Sequence, residues 1–336
     1  MVGGDDLSVT MLSLEDEDTH IDDKENSVRE SVISGGAAHF MTAIGDIGDK
    51  SPLVYLMDWL HAWQQEYEAF VHILGVQEDS TNEQEAIEAA KDLKEMEAEA
   101  EPLIEGFSKV ATALLKRLNI THPDSLVDRH GWTLLMQSAN SGLYKLTKEL
   151  IALKADVNNG GTSKDAANPL YLALASDHID VALLLLQNGA IKSATKLVTV
   201  PSLDTEHSND VEDHDCALFQ ACRFGHLDVI KEMLALGADL TSALPLTGDR
   251  ALHIAVMFEM QDVVKLLVES DNIDLNALNK SGQTCIFGCS SVDIVKLLVA
   301  TGVDPNITDN DDETALSIAQ ALGDEDVARY LRTVTQ

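Results

Sequence analysis

Arg250-Ala251-Leu252-His253-Ile254-Ala255, followed after a short polar break by the apolar run Val263–Val268, is the stretch that decides the architecture, because it recurs in altered form. Gly131-Trp132-Thr133-Leu134-Leu135-Met136-Gln137-Ser138-Ala139 precedes Leu146–Leu153, and Asn168-Pro169-Leu170-Tyr171-Leu172-Ala173 precedes Val181–Leu186. Cys216-Ala217-Leu218-Phe219-Gln220-Ala221-Cys222 precedes Val229–Leu234. Thr284-Cys285-Ile286-Phe287-Gly288-Cys289 precedes Ile294–Val299, and Thr314-Ala315-Leu316-Ser317-Ile318-Ala319 precedes Val327–Leu331. Each unit is therefore a short helix with a leucine or isoleucine at its third position, then a second apolar helix. Several second helices run into a related turn: Ala155-Asp156-Val157-Asn158, Gly189-Ala190, Gly237-Ala238-Asp239 and Gly302-Val303-Asp304-Pro305-Asn306. A glycine there supplies a left-handed stop. One such unit cannot bury its own apolar face, so the copies must stack.

This pattern resembles the ankyrin repeat, whose signature runs Thr-Pro-Leu-His-x-Ala-Ala, Gly-His, an apolar helix, then Gly-Ala-Asp-x-Asn. The resemblance implies an all-α solenoid of about six repeats over residues 128–334. In this chain the third-position residues are 135, 170, 218, 252, 286 and 316, spaced by 35, 48, 34, 34 and 30, against a family period of about 33. The long spacing marks an acidic insertion at about 196–213, read as an exposed loop or, alternatively, a partner-binding finger. The short spacing reflects residues missing between Cys289 and Asp293, which shortens the first helix of the fifth unit by nearly one turn. Local distortion is expected there, with a shift in how the last unit stacks.

Two further segments precede the repeats. Residues 51–120 read as an antiparallel helical hairpin. Ser51-Pro52 opens a stripe of Leu56, Trp59, Leu60, Trp63, Tyr67, Phe70, Val71 and Leu74, and a second stripe runs from Ala86 to Leu114 in phase across Pro102. Trp59 and Trp63 are expected in the hairpin core, and pairing of the second stripe between chains would make a homodimer. Residues 1–50, with Glu15-Asp16-Glu17-Asp18, hold too little periodic apolar surface to repay ordering and read as a disordered acidic tail.

The chain has 336 residues with 23 basic against 57 acidic side chains, a formal net charge of −34. Phosphate recognition and adhesion to anionic membranes both need clustered Lys and Arg, so nucleic acid and membrane partners are not expected. A basic protein partner is favoured electrostatically, although acid also serves solubility alone. No apolar run is long enough to span a bilayer, and the acidic start is unlike a secretory signal. With four cysteines, no disulfide framework is expected, and the default setting is cytoplasmic.

No catalytic residues, metal site or cofactor site are expected from the sequence. Cys216, Cys222, Cys285 and Cys289 occupy positions that the repeat assigns to small buried residues, and packing explains them better than zinc. His226 and His253 fall at the repeat's histidine positions and read as structural, while His207 and His214 sit among carboxylates in or beside the insertion. No nucleophile elbow, phosphate loop or His-Glu-x-x-His is present. By resemblance, partners bind a concave face built from turn tips and the exposed sides of the first helices. Trp132, Arg223, Phe224, Met257 and Phe258 are the interface-type residues at those positions. Trp132 is expected at the surface, while Phe224 and Phe258 are equally compatible with packing between units. Asp128, Asp249, Asp311, Asp312 and Glu313 would form a rim for a basic partner. The resemblance also places Asn158, Asn276 and Asn306 where asparaginyl hydroxylases modify many ankyrin proteins. The leading reading is a protein-binding adaptor, inhibitor or chaperone. Two alternatives stay open. One is an effector of an intracellular bacterium acting in host cytosol or nucleus, with which the acidic Asp324-Glu325-Asp326 is compatible. The other is an enzyme or ligand site within the N-terminal helices.

Overall fold

The computed structural model describes residues 105–335 apart from 118, 129, 163–166, 201–212 and 272, together with Val54, Leu56, Met57, Leu60 and Pro102. The acidic tail and most of the expected hairpin, including Trp59 and Trp63, lie outside these residues. What is described of the hairpin is helical up to residue 117, with residues 105–117 forming helix α1. Leu56, Met57 and Leu60 are buried in the same continuous core as Phe107, Ala111 and Leu115 of α1.

The repeat region follows as helix pairs. They are α2 (Leu134–Asn140) with α3 (Tyr144–Ala152), α4 (Pro169–Ala175) with α5 (Ile179–Gln187), and α6 (Ala217–Phe224) with α7 (Leu227–Ala235). Then come α8 (Ala251–Met257) with α9 (Gln261–Val268), α10 (Val292–Thr301), and finally α11 (Ala315–Leu322) with α12 (Glu325–Val334). Side-chain caps start the short helices where the sequence provides them. Thr133 accepts from the Met136 N–H, Asn168 from Tyr171 and Thr314 from Ser317, each satisfying a backbone donor that the helix leaves free.

The first helices form an inner row in which α2, α4, α6 and α8 pack successively. Leu135, Leu170, Leu218, Leu252 and Ile286 are buried in it, each contributing roughly 2 kcal/mol. Leu316, in the sixth unit, is half-buried. The sixth positions are Ser138, Ala173, Ala221, Ala255, Cys289 and Ala319, all buried, and their small side chains let the helices approach closely. Ser138 is tolerated because its hydroxyl donates to the Leu135 carbonyl and also meets the Thr147 hydroxyl.

Two departures follow from the irregular spacings. In the fifth unit residues 285–288 make only a turn ended by Gly288 at φ 71°, so the deletion removes the first helix altogether rather than shortening it by one turn. Cys285, Ile286 and Cys289 stay buried regardless, and the outer row remains continuous as α9, α10 and α12. In the insertion, β1 (Val198–Val200) and β2 (Asp213–Asp215) pair antiparallel, with Val198 opposite Asp215 and Val200 opposite Asp213. The expected loop thus has a β-ribbon stem, a small addition to a helical fold; its tip at 201–212 lies outside the described residues.

Successive turns also lock to one another. The Lys280 N–H donates to the Thr247 carbonyl at 2.8 Å, and the Asn310 N–H to the Ser281 carbonyl at 2.9 Å. This brings the next backbone so close that a Cβ on Gly248 would lie 2.8 Å from the Lys280 nitrogen. Gly237 also has a left-handed backbone, φ 82°, but open space around it. Gly237→Ala should therefore cost about 1 kcal/mol, the conformational penalty alone. Gly248→Ala should cost at least about 1 kcal/mol more through overpacking, which urea denaturation of the two variants will show.

Candidate binding surface

The ends of the inner helices carry part of the exposed apolar surface, at Phe224, Met257, Phe258 and Leu322, while Tyr144, Leu236, Leu246 and Leu278 are exposed on the outer helices and turns. Arg223 and Phe224 close α6 and are followed by Gly225 at φ 75°. Met257 closes α8, and Phe258 and Glu259 follow it, with Glu259 taking the left-handed conformation at φ 55° that glycine adopts one unit earlier. The two units thus present equivalent pairs, Arg223-Phe224 and Met257-Phe258. Phe224 is 57% exposed, Met257 61% and Phe258 41%, so these three side chains face outward rather than filling the seam. The Arg223 guanidinium carbon lies 5.3 Å from the Phe258 ring centroid, a cation–π contact that joins the two units. Trp132 does not belong to this surface. It is half-buried and packs against the core, while its backbone N–H and C=O are held by Asp128.

Arg223 is fixed from beneath by Asp215, a residue that the sequence reading did not single out. Asp215 is 3% exposed. Its Oδ2 accepts from Arg223 Nη1 and Gln220 Nε2, each at 2.8 Å, and its Oδ1 from the Cys216 N–H at 2.7 Å. Gln220 Nε2 also reaches the Tyr171 hydroxyl at 3.3 Å, so the network ties α4 to α6. One signal was available. Asp215 stands immediately before the start of α6, the position that Trp132 holds in the first unit, with Gln220 and Arg223 spaced to return over the same face.

Two of the five expected rim acids are spent internally. Asp128 is buried and accepts from the backbone of His130 and Trp132 and from Gln137 Nε2. Asp249 is buried and accepts from Asn279 Nδ2 of the next unit. Asp311, Asp312 and Glu313 are exposed. Nearer the apolar surface, Asp177 and Glu259 are exposed, and Asp177 Oδ1 lies 3.6 Å from His226 Nε2. Asp324-Glu325-Asp326 opens α12, where acid favours a helix N-terminus; Asp326 pairs with Arg329 and Asp324 accepts from Ser290.

The remaining chemical candidates are structural in their surroundings. The four cysteines are free and buried. Burial pushes the thiols of Cys216 and Cys285 up to about 12 and that of Cys289 up to about 11, with Cys222 raised as well, so thiolate reactivity is suppressed. Among the described residues no group of three His, Cys, Asp or Glu is placed to hold a metal ion. His253 Nδ1 accepts from the Arg250 N–H and its Nε2 lies 3.2 Å from the Gln283 carbonyl. A neutral ring that donates from Nε2 satisfies both contacts and bridges the fourth and fifth units. His207 lies outside the described residues, and His214 sits half-buried on β2. The side-chain amides of Asn158 and Asn276 donate across to the carbonyls of Gly189 and Gly302, whereas that of Asn306 donates to Asp304 of its own turn.

The stacked pairs, the turn-to-turn bonds and the buried third and sixth positions can be compared with known proteins as one pattern. A family model described as ankyrin repeats (3 copies) matches residues 103–196 and 192–279, together more than half of the chain. The chain belongs to the ankyrin-repeat family. The match takes in α1, which lies before the first sequence-defined repeat. The chain is 27% identical over 176 residues to the E3 ubiquitin-protein ligase XBAT33 of Arabidopsis thaliana, covering 52% of this chain and 31% of that protein. It is 26% identical over 175 residues to the putative ankyrin repeat protein FPV031 of Fowlpox virus (strain NVSL), covering 50% of this chain and 47% of that one. The matches thus span about a third to a half of these relatives. The crystal structure of the ankyrin repeat domain of Bcl-3, a member of the IkappaB family, superposes with a TM-score of 0.50 at 24% identity, covering 61% of this chain and 87% of that one; this likeness concerns the fold alone. Family membership makes the array a protein–protein interaction module on a scaffold that is typically non-catalytic. No helix among the described residues is long and apolar enough to cross a membrane.

Two expectations follow. Asp215→Ala leaves Gln220 and Arg223 without their acceptor and should cost about 2–3 kcal/mol in urea denaturation. It should also free the Arg223 side chain from Phe258. Burial holds the pKa of His178, His226 and His253 below the ordinary 6.5. The unfolded chain therefore binds protons at pH values where the folded chain does not. Stability should be full above about 6.5 and fall as the pH drops through that value toward the lowered folded ones. His253→Gln should flatten that slope when urea midpoints are compared across the range.

Proposed function

We propose that this chain is a non-catalytic adaptor, inhibitor or chaperone that holds a basic segment of a protein partner on the concave face of its repeat stack. The exposed Phe224, Met257 and Phe258 carry the reading, with Arg223 held against Phe258 by the buried Asp215. Aromatic side chains and arginine supply most hot-spot energy, and a guanidinium fixed before binding loses little entropy on contact. The exposed carboxylates of Asp177 and Glu259 beside these residues, on a chain of net charge −34, favour a partner segment that pairs an apolar anchor with flanking Lys or Arg. A cytoplasmic setting belongs to the same proposal and fits four buried free thiols. So does dimerisation through residues 51–120, which the Ala86–Leu114 stripe supports. The ligase activity named for the plant relative belongs to a protein of which the match spans under a third.

The test compares capture by the intact chain with capture by a Phe224→Ala/Met257→Ala variant. Both residues are exposed, so the variant should keep its circular dichroism spectrum and melting behaviour. A partner recovered by the intact chain should lose at least about 2 kcal/mol of affinity for the variant, roughly thirtyfold in Kd. Its association should slow as salt is added. Equal affinity for both would remove the site from this surface.

A further inference from the structure

One groove on the described surface gathers four lysines on an otherwise acidic chain. Helix α1 and helix α3 enclose an open groove of about 700 Å³, whose walls carry Lys109 and Lys116 from α1 and Lys145 and Lys148 from α3. These are four of the chain's 23 basic residues. Lys109 and Lys116 are seven residues apart, so they lie two turns apart on one face of α1; Lys145 and Lys148 are three apart, about one turn, on one face of α3. Glu105 engages one lysine from each wall, at 3.2 Å from Lys109 and 4.0 Å from Lys145. Lys116 and Lys148 make no ion pair among the described residues. The floor between the walls is of small residues, Ser108, Thr112, Ala113 and Ala152, and Glu149 of α3 adds a second carboxylate to the lining, leaving four lysines against two glutamates. A second hollow of about 260 Å³ continues the groove past Thr112 and Lys116 to Leu115 and Leu153. From Glu105 to Lys116 the α1 wall runs about 17 Å, three helical turns.

We infer that this groove is a second binding site, which takes a short acidic amphipathic helix of a partner protein, its carboxylates facing the lysines and its apolar side chains set on the small-residue floor. Both walls are helices, so a helical ligand presents its side chains at the same spacing as theirs. The lysine spacings match carboxylates one to two turns apart. The apolar continuation at Leu115 and Leu153 argues for a ligand with an apolar face rather than a free phosphate. The net charge argues for a short ligand. Within a Debye length of about 8 Å a carboxylate responds to the nearby lysines, whereas an extended polyanion or anionic bilayer would also meet the acidic surface beyond. The site uses elements distinct from the Phe224–Phe258 surface and carries the opposite charge, so its failure and the failure of that reading are separable.

The experiment is fluorescence anisotropy on the full chain. The probe is a labelled fourteen-residue helical peptide with Glu at steps of three and four and Leu and Ala on the opposite stripe. It is run beside a scrambled peptide of the same composition, tripolyphosphate, and vesicles of phosphatidylcholine with phosphatidylserine. The patterned peptide should bind, and Lys116→Glu/Lys148→Glu should weaken it at least tenfold with an unchanged melting curve. Ala152→Trp, which fills the floor, should weaken it without altering charge, and Phe224→Ala should leave it unaffected. Failure of the patterned peptide to bind, equal binding of the scrambled peptide, equal binding by the charge-reversed variant, or tighter binding of tripolyphosphate or vesicles would each overturn the inference. So would binding that appears only when Glu15, Asp16, Glu17 and Asp18 are neutralised, because the groove would then belong to the chain's own acidic segment.

Discussion

The contact on which the stack most depends is the one between consecutive turns. Each bond, Lys280 to Thr247 and Asn310 to Ser281, joins backbone to backbone and is therefore independent of side-chain identity, except that glycine must stand where the strands of chain come closest. Thr162 donates to the Gly131 carbonyl in the same manner at the other end of the array. A helix pair can vary in length and still be held if this contact survives. The fifth unit demonstrates it. Its first helix is gone, yet Asn279 still reaches Asp249, Gln283 Nε2 still reaches Asp309, and the Gln283 carbonyl still faces His253. The turn thus carries the stacking where the inner row is interrupted.

That dependence explains how the acid is used. Carboxylates nearest the turns are partly withdrawn from the surface, since a carboxylate can accept several N–H groups at once and so order a tight turn. Asp128, Asp215, Asp249 and Asp309 are all buried in this way. Counting acidic residues in the sequence therefore overstates the charge a partner meets near the tips, although the acids on the last turn and beside Phe224 and Phe258 stay exposed.

The repeat itself was legible because its signals are local and redundant. Third-position leucines, small sixth-position residues and left-handed glycines all report the same phase, and spacing alone located both irregular units. What spacing could not supply was the response of the chain. Three missing residues could leave a stunted helix or none, and the choice fell to Gly288 and the buried Cys285 and Cys289, which satisfy the core from a single turn. Likewise the acidic insertion read as a loop because only three residues on each side pair, too few for a periodic signal. Among the interface candidates, Arg223 and Phe258 meet because equivalent helix ends stack side by side, a consequence of the period, and Phe224 and Met257 are exposed at the same helix ends. Trp132 did not join them, since its neighbourhood is set by Asp128 and the core beneath the first turn, and no pattern within one repeat encodes that.

The same logic separates a rigid partner surface from an incidental apolar patch. Phe224 and Met257 project from helix ends whose positions are set by units on either side, and Arg223 is held by a carboxylate that itself bridges to α4 through Gln220 and Tyr171. Shifting any of these would disturb buried polar groups in two units, at a cost larger than the contact energy of one exposed ring. The surface is thus positioned by the core rather than by its own contacts. An array can therefore vary the residues at its helix ends while its turns and third-position leucines stay under constraint, so recognition can diverge on a scaffold whose stacking remains fixed.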